Sequence, residues 1–219
     1  MQPKWVEYIY KKYGIYTMIN HSFGRYGLTL NGSWVPNTEY SDPETQKFLL
    51  NEAVKMAEDF KDTPGLLLFM LGNENNYGLS WGAAETEDIP IETEGTVITR
   101  ARAMYELMNK AVLEIKKLDD NHPVAICNGD LLYLDLVVEY LKDMDIYATN
   151  MYRGQSFGDA FDRVKNELNM PLMLAEFGSD AFNALNNKED QKMQAYYMVE
   201  NWKEIYTNAA GLGKAQNAI

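Results

Sequence analysis

The chain has one cysteine, Cys127, and two histidines, His21 and His122, among 219 residues. One thiol excludes an internal disulfide framework and a cysteine-rich zinc site. Two histidines a hundred positions apart offer little for a metal centre. Basic residues are scarce too: 20 Lys and Arg face 32 Asp and Glu, for a net charge of −12. With no Lys/Arg cluster in the sequence, binding nucleic acid by phosphate neutralisation is not expected. No apolar run approaches the roughly 18 residues of a membrane span. Residues 1–13 carry charges where a signal peptide needs an apolar block, so no membrane contact is expected and no compartment can be read. What is there, 46% hydrophobic and 24% charged, is the composition of a soluble globular domain, with length for one large core or two small ones.

Short apolar runs at 15–19, 66–71, 124–127, 146–149 and 172–175 alternate with longer amphipathic stretches. Runs with almost no polar interruption are expected when both faces of a sheet are buried, as in parallel sheets. The stretch 44–60 places Leu49, Ala53, Met56, Ala57 and Phe60 on one helical stripe, with Asp42 as a candidate N-cap and Pro43 at the first helical position. A second helix is expected over 96–118, and three more over 131–141, 157–168 and 188–208. Strand–helix alternation means an α/β fold with right-handed crossovers. Two connections are longer than that scaffold requires. Asn31-Gly32 between 28–30 and 34–35 predicts a hairpin with a type I′ turn. Residues 81–95 hold Glu85, Glu87, Asp88, Glu92 and Glu94 without a basic residue, which reads as a solvated loop.

A doubly wound sheet and a (β/α)8 barrel share this string, and the strand ends separate them. The residues just past the runs are Asn20-His21, Gly72-Asn73-Glu74, Asn128-Gly129-Asp130, Asn150-Met151-Tyr152 and Glu176-Phe177-Gly178. Two glutamates at the C-terminal ends of buried strands are held on rigid elements against a low-dielectric wall. Paired carboxylates converging there suit glycosidic bond hydrolysis, in which one is kept protonated and the other ionised. Tyr152 is the candidate hydrogen-bond donor to Glu176, Asn73 can hold a sugar hydroxyl, and His21 lies on the same face.

Other motifs compete less well. Gly154-Gln155-Ser156-Phe157-Gly158 matches the nucleophile elbow of esterases, yet both histidines precede Ser156, whereas that triad runs Ser, acid, His. His122 belongs to the turn Asn121-His122-Pro123, at the opposite end of a strand, and reads as structural. His21 alone makes a poor metal ligand set, and the first strand does not lead into G-x-G-x-x-G.

Asp62-Thr63-Pro64-Gly65, the run 66–71 and Gly72-Asn73-Glu74 together resemble strand 4 of the catalytic barrel of glycoside hydrolase family 2. That family includes β-galactosidases, β-glucuronidases and β-mannosidases. Pro171 through Gly178, with Glu176, is similar to its strand 7, Asn150-Met151-Tyr152 to strand 6, and Asn20-His21 to the end of strand 3. The resemblance implies a retaining β-glycosidase with Glu176 as nucleophile and Glu74 as acid/base. It further implies that Asn73 binds the 2-hydroxyl, Tyr152 orients Glu176 and His21 lines the sugar pocket. No metal or organic cofactor is implied, and the partner is a carbohydrate substrate. It also implies a partial (β/α)8 barrel over 1–219, from the helix after strand 2 to the approach to strand 8. At roughly 39 residues per unit, eight units need about 310 residues. The expectation is therefore a piece of a longer enzyme, joined to further domains or to copies of itself. The alternative is a non-catalytic carbohydrate-binding or scaffold barrel. Which sugar is bound cannot be read.

Overall fold

The computed structural model describes residues 1–79 and 94–219, so most of the acidic stretch 81–95 lies outside the described residues. In chain order the main elements are α1 (Pro3–Tyr13), β1 (Thr17–His21), β2 (Leu28–Leu30), β3 (Ser33–Val35), α2 (Pro43–Phe60) and β4 (Leu66–Leu71). There follow α3 (Glu94–Leu118), β5 (Val124–Gly129), α4 (Leu134–Tyr140), β6 (Ile146–Met151) and α5 (Ala160–Arg163), which continues as a π-helical turn over Val164–Leu168. The chain ends with β7 (Leu172–Phe177), β8 (Phe182–Asn183), β9 (Lys188–Glu189) and α6 (Gln191–Thr207).

Five strands form one sheet in the order β1-β4-β5-β6-β7, every pair parallel. Helices connect successive strands, and the result is a partial TIM barrel. The strands are apolar throughout because both sheet faces are covered. On one face Phe69, Leu71, Val124, Ile126 and Tyr147 pack with the helices in the main core. On the other, Leu68, Met70, Ala125, Cys127, Ile146 and Ala148 form a second cluster, with Met173 and Ala175 against it. β5 and β6, in mid-sheet, are buried at every position. The flanking β1 and β7 are only partly covered.

Local signals explain the boundaries. Asp42 caps α2 by accepting from the Thr45 N–H at 2.8 Å, with Pro43 opening the helix. Asn31 (φ 50°) and Gly32 (φ 78°) supply the two left-handed residues that the β2–β3 hairpin turn needs. Asp190 caps α6 through the Met193 N–H, so that helix starts at 191 rather than 188. Lys188 and Glu189 instead pair with Phe182 and Asn183 as β9 and β8.

β5, β6 and β7 each run two residues beyond their apolar runs, taking Asn128, Asn150 and Glu176 into the sheet. Between β6 and β7 the register shifts after Thr149, so that Asn150 lies opposite Glu176 instead of Ala175. Such a bulge re-aims the side chains that follow it. Beyond β7, the Leu172 N–H donates to the Asn217 carbonyl at 2.7 Å and the Ile219 N–H to the Leu172 carbonyl at 3.0 Å. Residues 217–219 thus begin to align in parallel along the outer edge of β7.

Candidate active site

At the C-terminal ends of β4, β5, β6 and β7 lies a cavity of about 720 Å³, lined among others by Asn73, Glu74, Asn150, Tyr152 and Glu176. Glu74 reaches it from a tight turn. Gly72 has φ 81°, and a Cβ there would lie 2.7 Å from the Asn75 Oδ1. Glu74 is itself left-handed at φ 59°, a conformation costing a non-glycine residue about 1–2 kcal/mol.

Two buried amides hold that turn. Asn75 Oδ1 accepts from the Asn73 N–H at 2.8 Å, and its Nδ2 donates to the Phe23 carbonyl at 2.9 Å and the Tyr40 hydroxyl at 2.9 Å. Asn76 exchanges two bonds of 2.7 Å with the Gly129 backbone. The Glu74 N–H donates to the Cys127 carbonyl at 3.0 Å, tying the end of β4 to β5.

The two carboxylates have different partners. Glu74 Oε1 accepts from Asn150 Nδ2 at 2.9 Å, and the same amide donates to Asn73 Oδ1 at 3.1 Å. Glu176 Oε2 accepts from the Tyr152 hydroxyl at 2.9 Å. Partial burial, then the bond to Glu176 and the charges of Glu176 and Glu74, push the Tyr152 phenol up to about 12, so it keeps its proton and donates. Burial and then the charges of Glu176 and Glu74 push the Cys127 thiol up to about 12. At the rim Arg153 holds Asp130 through two nitrogens, one at 2.9 Å, and donates to the Phe157 carbonyl at 2.9 Å, bracing the loop after β6.

The structure therefore brings Asn73, Glu74, Tyr152 and Glu176 to one cavity, while His21 stands apart from the residues that line it. His21 Nδ1 accepts from the Phe23 N–H at 3.2 Å, and burial lowers its pKa against an opposing effect of Glu52. Ser156 is engaged in its own turn: Oγ accepts from the Gly158 N–H at 3.0 Å and donates to Glu204 at 3.2 Å. His122 pairs with Asp119 at 2.7 Å before the start of β5, far from the strand ends that carry the cavity. Asn75, Asn76, Cys127 and the amide of Asn150 had no sequence signal beyond the density of asparagine after buried strands.

Residues 1–209 match the family model of the glycosyl hydrolases family 2, TIM barrel domain. The chain belongs to that family. Its fold is shared with solved structures at low sequence identity. A Bacteroides uniformis β-glucuronidase aligns over 90% of this chain and 23% of its own, with 14% identity and TM-score 0.61. The Ignisphaera aggregans GH53 catalytic domain aligns over 93% and 62%, with 14% identity and TM-score 0.59. A GH2 β-galacturonidase from Eisenbergiella tayi aligns over 80% and 29%, with 14% identity and TM-score 0.53. The chain thus spans about a quarter of the length of the first of these proteins. No curated protein matches the chain by sequence.

Proposed function

We propose that the chain carries the catalytic pair of a retaining β-glycosidase, with Glu176 as nucleophile and Glu74 as acid/base. Supporting this reading is one observation: two glutamates from the ends of different strands line one cavity, each with its own donor, Asn150 to Glu74 and Tyr152 to Glu176. The Tyr152 phenol, bonded to Glu176 Oε2, aims that carboxylate for attack on the anomeric carbon. As the C–O bond to the leaving group breaks, Glu74 gives its proton to the departing oxygen, leaving the sugar esterified to Glu176. Glu74, now a carboxylate, takes a proton from water as that water attacks the anomeric carbon and Glu176 departs. Asn73 holds the 2-hydroxyl. The five strands correspond to strands 3–7 of the barrel, with the remaining strands and other domains supplied by a longer chain.

Hydrolysis of aryl β-glycosides by this chain, alone and joined to the strands that close the barrel, separates catalysis from simple carbohydrate binding. A 2-deoxy-2-fluoro glycoside should label Glu176, and Glu176→Gln should abolish labelling. Label on any other residue removes the nucleophile assignment. A retaining pair also requires carboxyl groups about 5–5.5 Å apart, against about 6.5–9.5 Å for an inverting pair. A crystal structure with bound inhibitor measures this directly.

A further inference from the structure

We propose that Cys127 is a positioning residue of this site: its S–H group orients the Asn150 amide so that Glu74 presents its proton to the leaving group. The inference rests on the acid/base reading of Glu74.

Cys127 Sγ lies 3.3 Å from Asn150 Oδ1 and 3.9 Å from Asn73 Oδ1. A sulfur between two amide carbonyl oxygens fits only as a donor. Asn150 is buried, and both of its N–H groups are engaged, one with Asn73 Oδ1 and one with Glu74 Oε1. Asn73 Nδ2 in turn donates to the Tyr26 hydroxyl at 3.1 Å. The bonds form a directed chain: thiol to Asn150 carbonyl, Asn150 amide to Asn73 carbonyl, Asn73 amide to phenol. Such chains reinforce one another in a low-dielectric interior. The phenol both donates and accepts, so the Tyr26 end imposes no direction.

The other end does. With Glu74 ionised, the carboxylate demands a donor, and Asn150 is held as observed with or without Cys127. With Glu74 protonated, a flipped Asn150 would turn its carbonyl to Glu74 and accept the very proton meant for the leaving oxygen. The flip would also exchange the S–H bond to the Asn150 carbonyl for a contact of its NH₂ with sulfur, a weak acceptor, and leave the Asn73 carbonyl facing another carbonyl. The thiol therefore keeps the acid from donating inward. It is suited to this because burial and the neighbouring carboxylates keep it protonated, so it never offers a charged acceptor.

A purely structural cysteine would affect all substrates equally, whereas a group that governs proton donation affects those whose leaving group needs the proton. In Cys127→Ala, kcat/KM for alkyl β-glycosides should fall about tenfold, as expected for a buried acceptor left unpaired. For 2,4-dinitrophenyl β-glycosides, whose leaving group departs without help, it should stay within about twofold. Cys127→Ser, which keeps a donor, should recover most of the alkyl glycoside activity. Equal losses on both substrates, or a serine variant as impaired as the alanine variant, overturn the proposal.

A second measurement needs no turnover. Cys127 is the only cysteine, so the Raman S–H stretching band of the protein is its own. It should lie at the lowered frequency of a hydrogen-bonded thiol and rise in Asn150→Ala. A wild-type band at the position of an unbonded thiol overturns the proposal even where Cys127→Ala does not fold. If the chain joined to the strands that close the barrel hydrolyses no glycoside, the acid/base reading fails, and the band still decides whether the directed chain exists.

Discussion

At the scale of single residues, the cavity gives two like carboxyls unlike neighbours. Glu176 faces a phenol and Glu74 faces an amide, and neither partner carries charge. A hydrogen bond to a charged acceptor contributes about 1.5–3 kcal/mol. Tyr152 is 59% exposed, so the lower end of that range applies. Tyr152→Phe is therefore expected to reduce kcat/KM about tenfold while leaving the melting temperature nearly unchanged, measured by steady-state kinetics beside thermal unfolding. Both glutamates could be read from sequence because each stands within three residues of the end of a buried apolar run. The amides that position them could not. Asn75 and Asn76 look like ordinary loop residues until the fold brings Phe23, Tyr40 and Gly129 within reach, positions remote in the chain.

At the scale of elements, the turn after β4 is where rigidity is concentrated. Asn76→Ala would leave the Gly129 N–H and C=O without their side-chain partner at a buried position, about 1–3 kcal/mol for each unpaired group. For a chain of this size the two together correspond to a fall in melting temperature of roughly 4–24 °C. The end of β1 adds a pH dependence. His21 has a lowered pKa because its folded site favours the neutral ring, and its Nδ1 must be unprotonated to accept from Phe23. Stability from this residue is thus complete above the unfolded value near 6.5, and is lost as pH falls through the lower folded value. A proton NMR titration should place the His21 midpoint below 6.5, and His21→Phe should flatten the stability profile in that acid range. A midpoint above 6.5 would reverse the sign. The five long strands were legible because burial on both faces removes polar residues from them. β8 and β9 were not, since two-residue strands carry no periodicity and Asp190, which starts α6, looks like any other acid in that stretch.

At the scale of the whole molecule, the open sheet and the charge act against each other. Among the described residues β1 pairs only with β4, and near its other edge Ile15, Tyr16 and Met18 are 55%, 54% and 42% exposed. An exposed apolar edge strand is a template for pairing with another strand. Opposing this is a net charge of −12, which repels a second copy over a distance set by salt, about 30 Å at 0.01 M and about 8 Å at 0.15 M. Self-association should therefore increase as salt is added, the reverse of what an interface built on ion pairs would show. Met18→Lys places a charge on the strand that would have to pair, a device by which natural sheets protect their edges. In sedimentation velocity the wild-type chain should shift toward larger species between 0.01 and 0.5 M NaCl, while Met18→Lys stays a monomer throughout. Association that weakens with salt, or that survives the lysine unchanged, would place the contact elsewhere than the β1 edge.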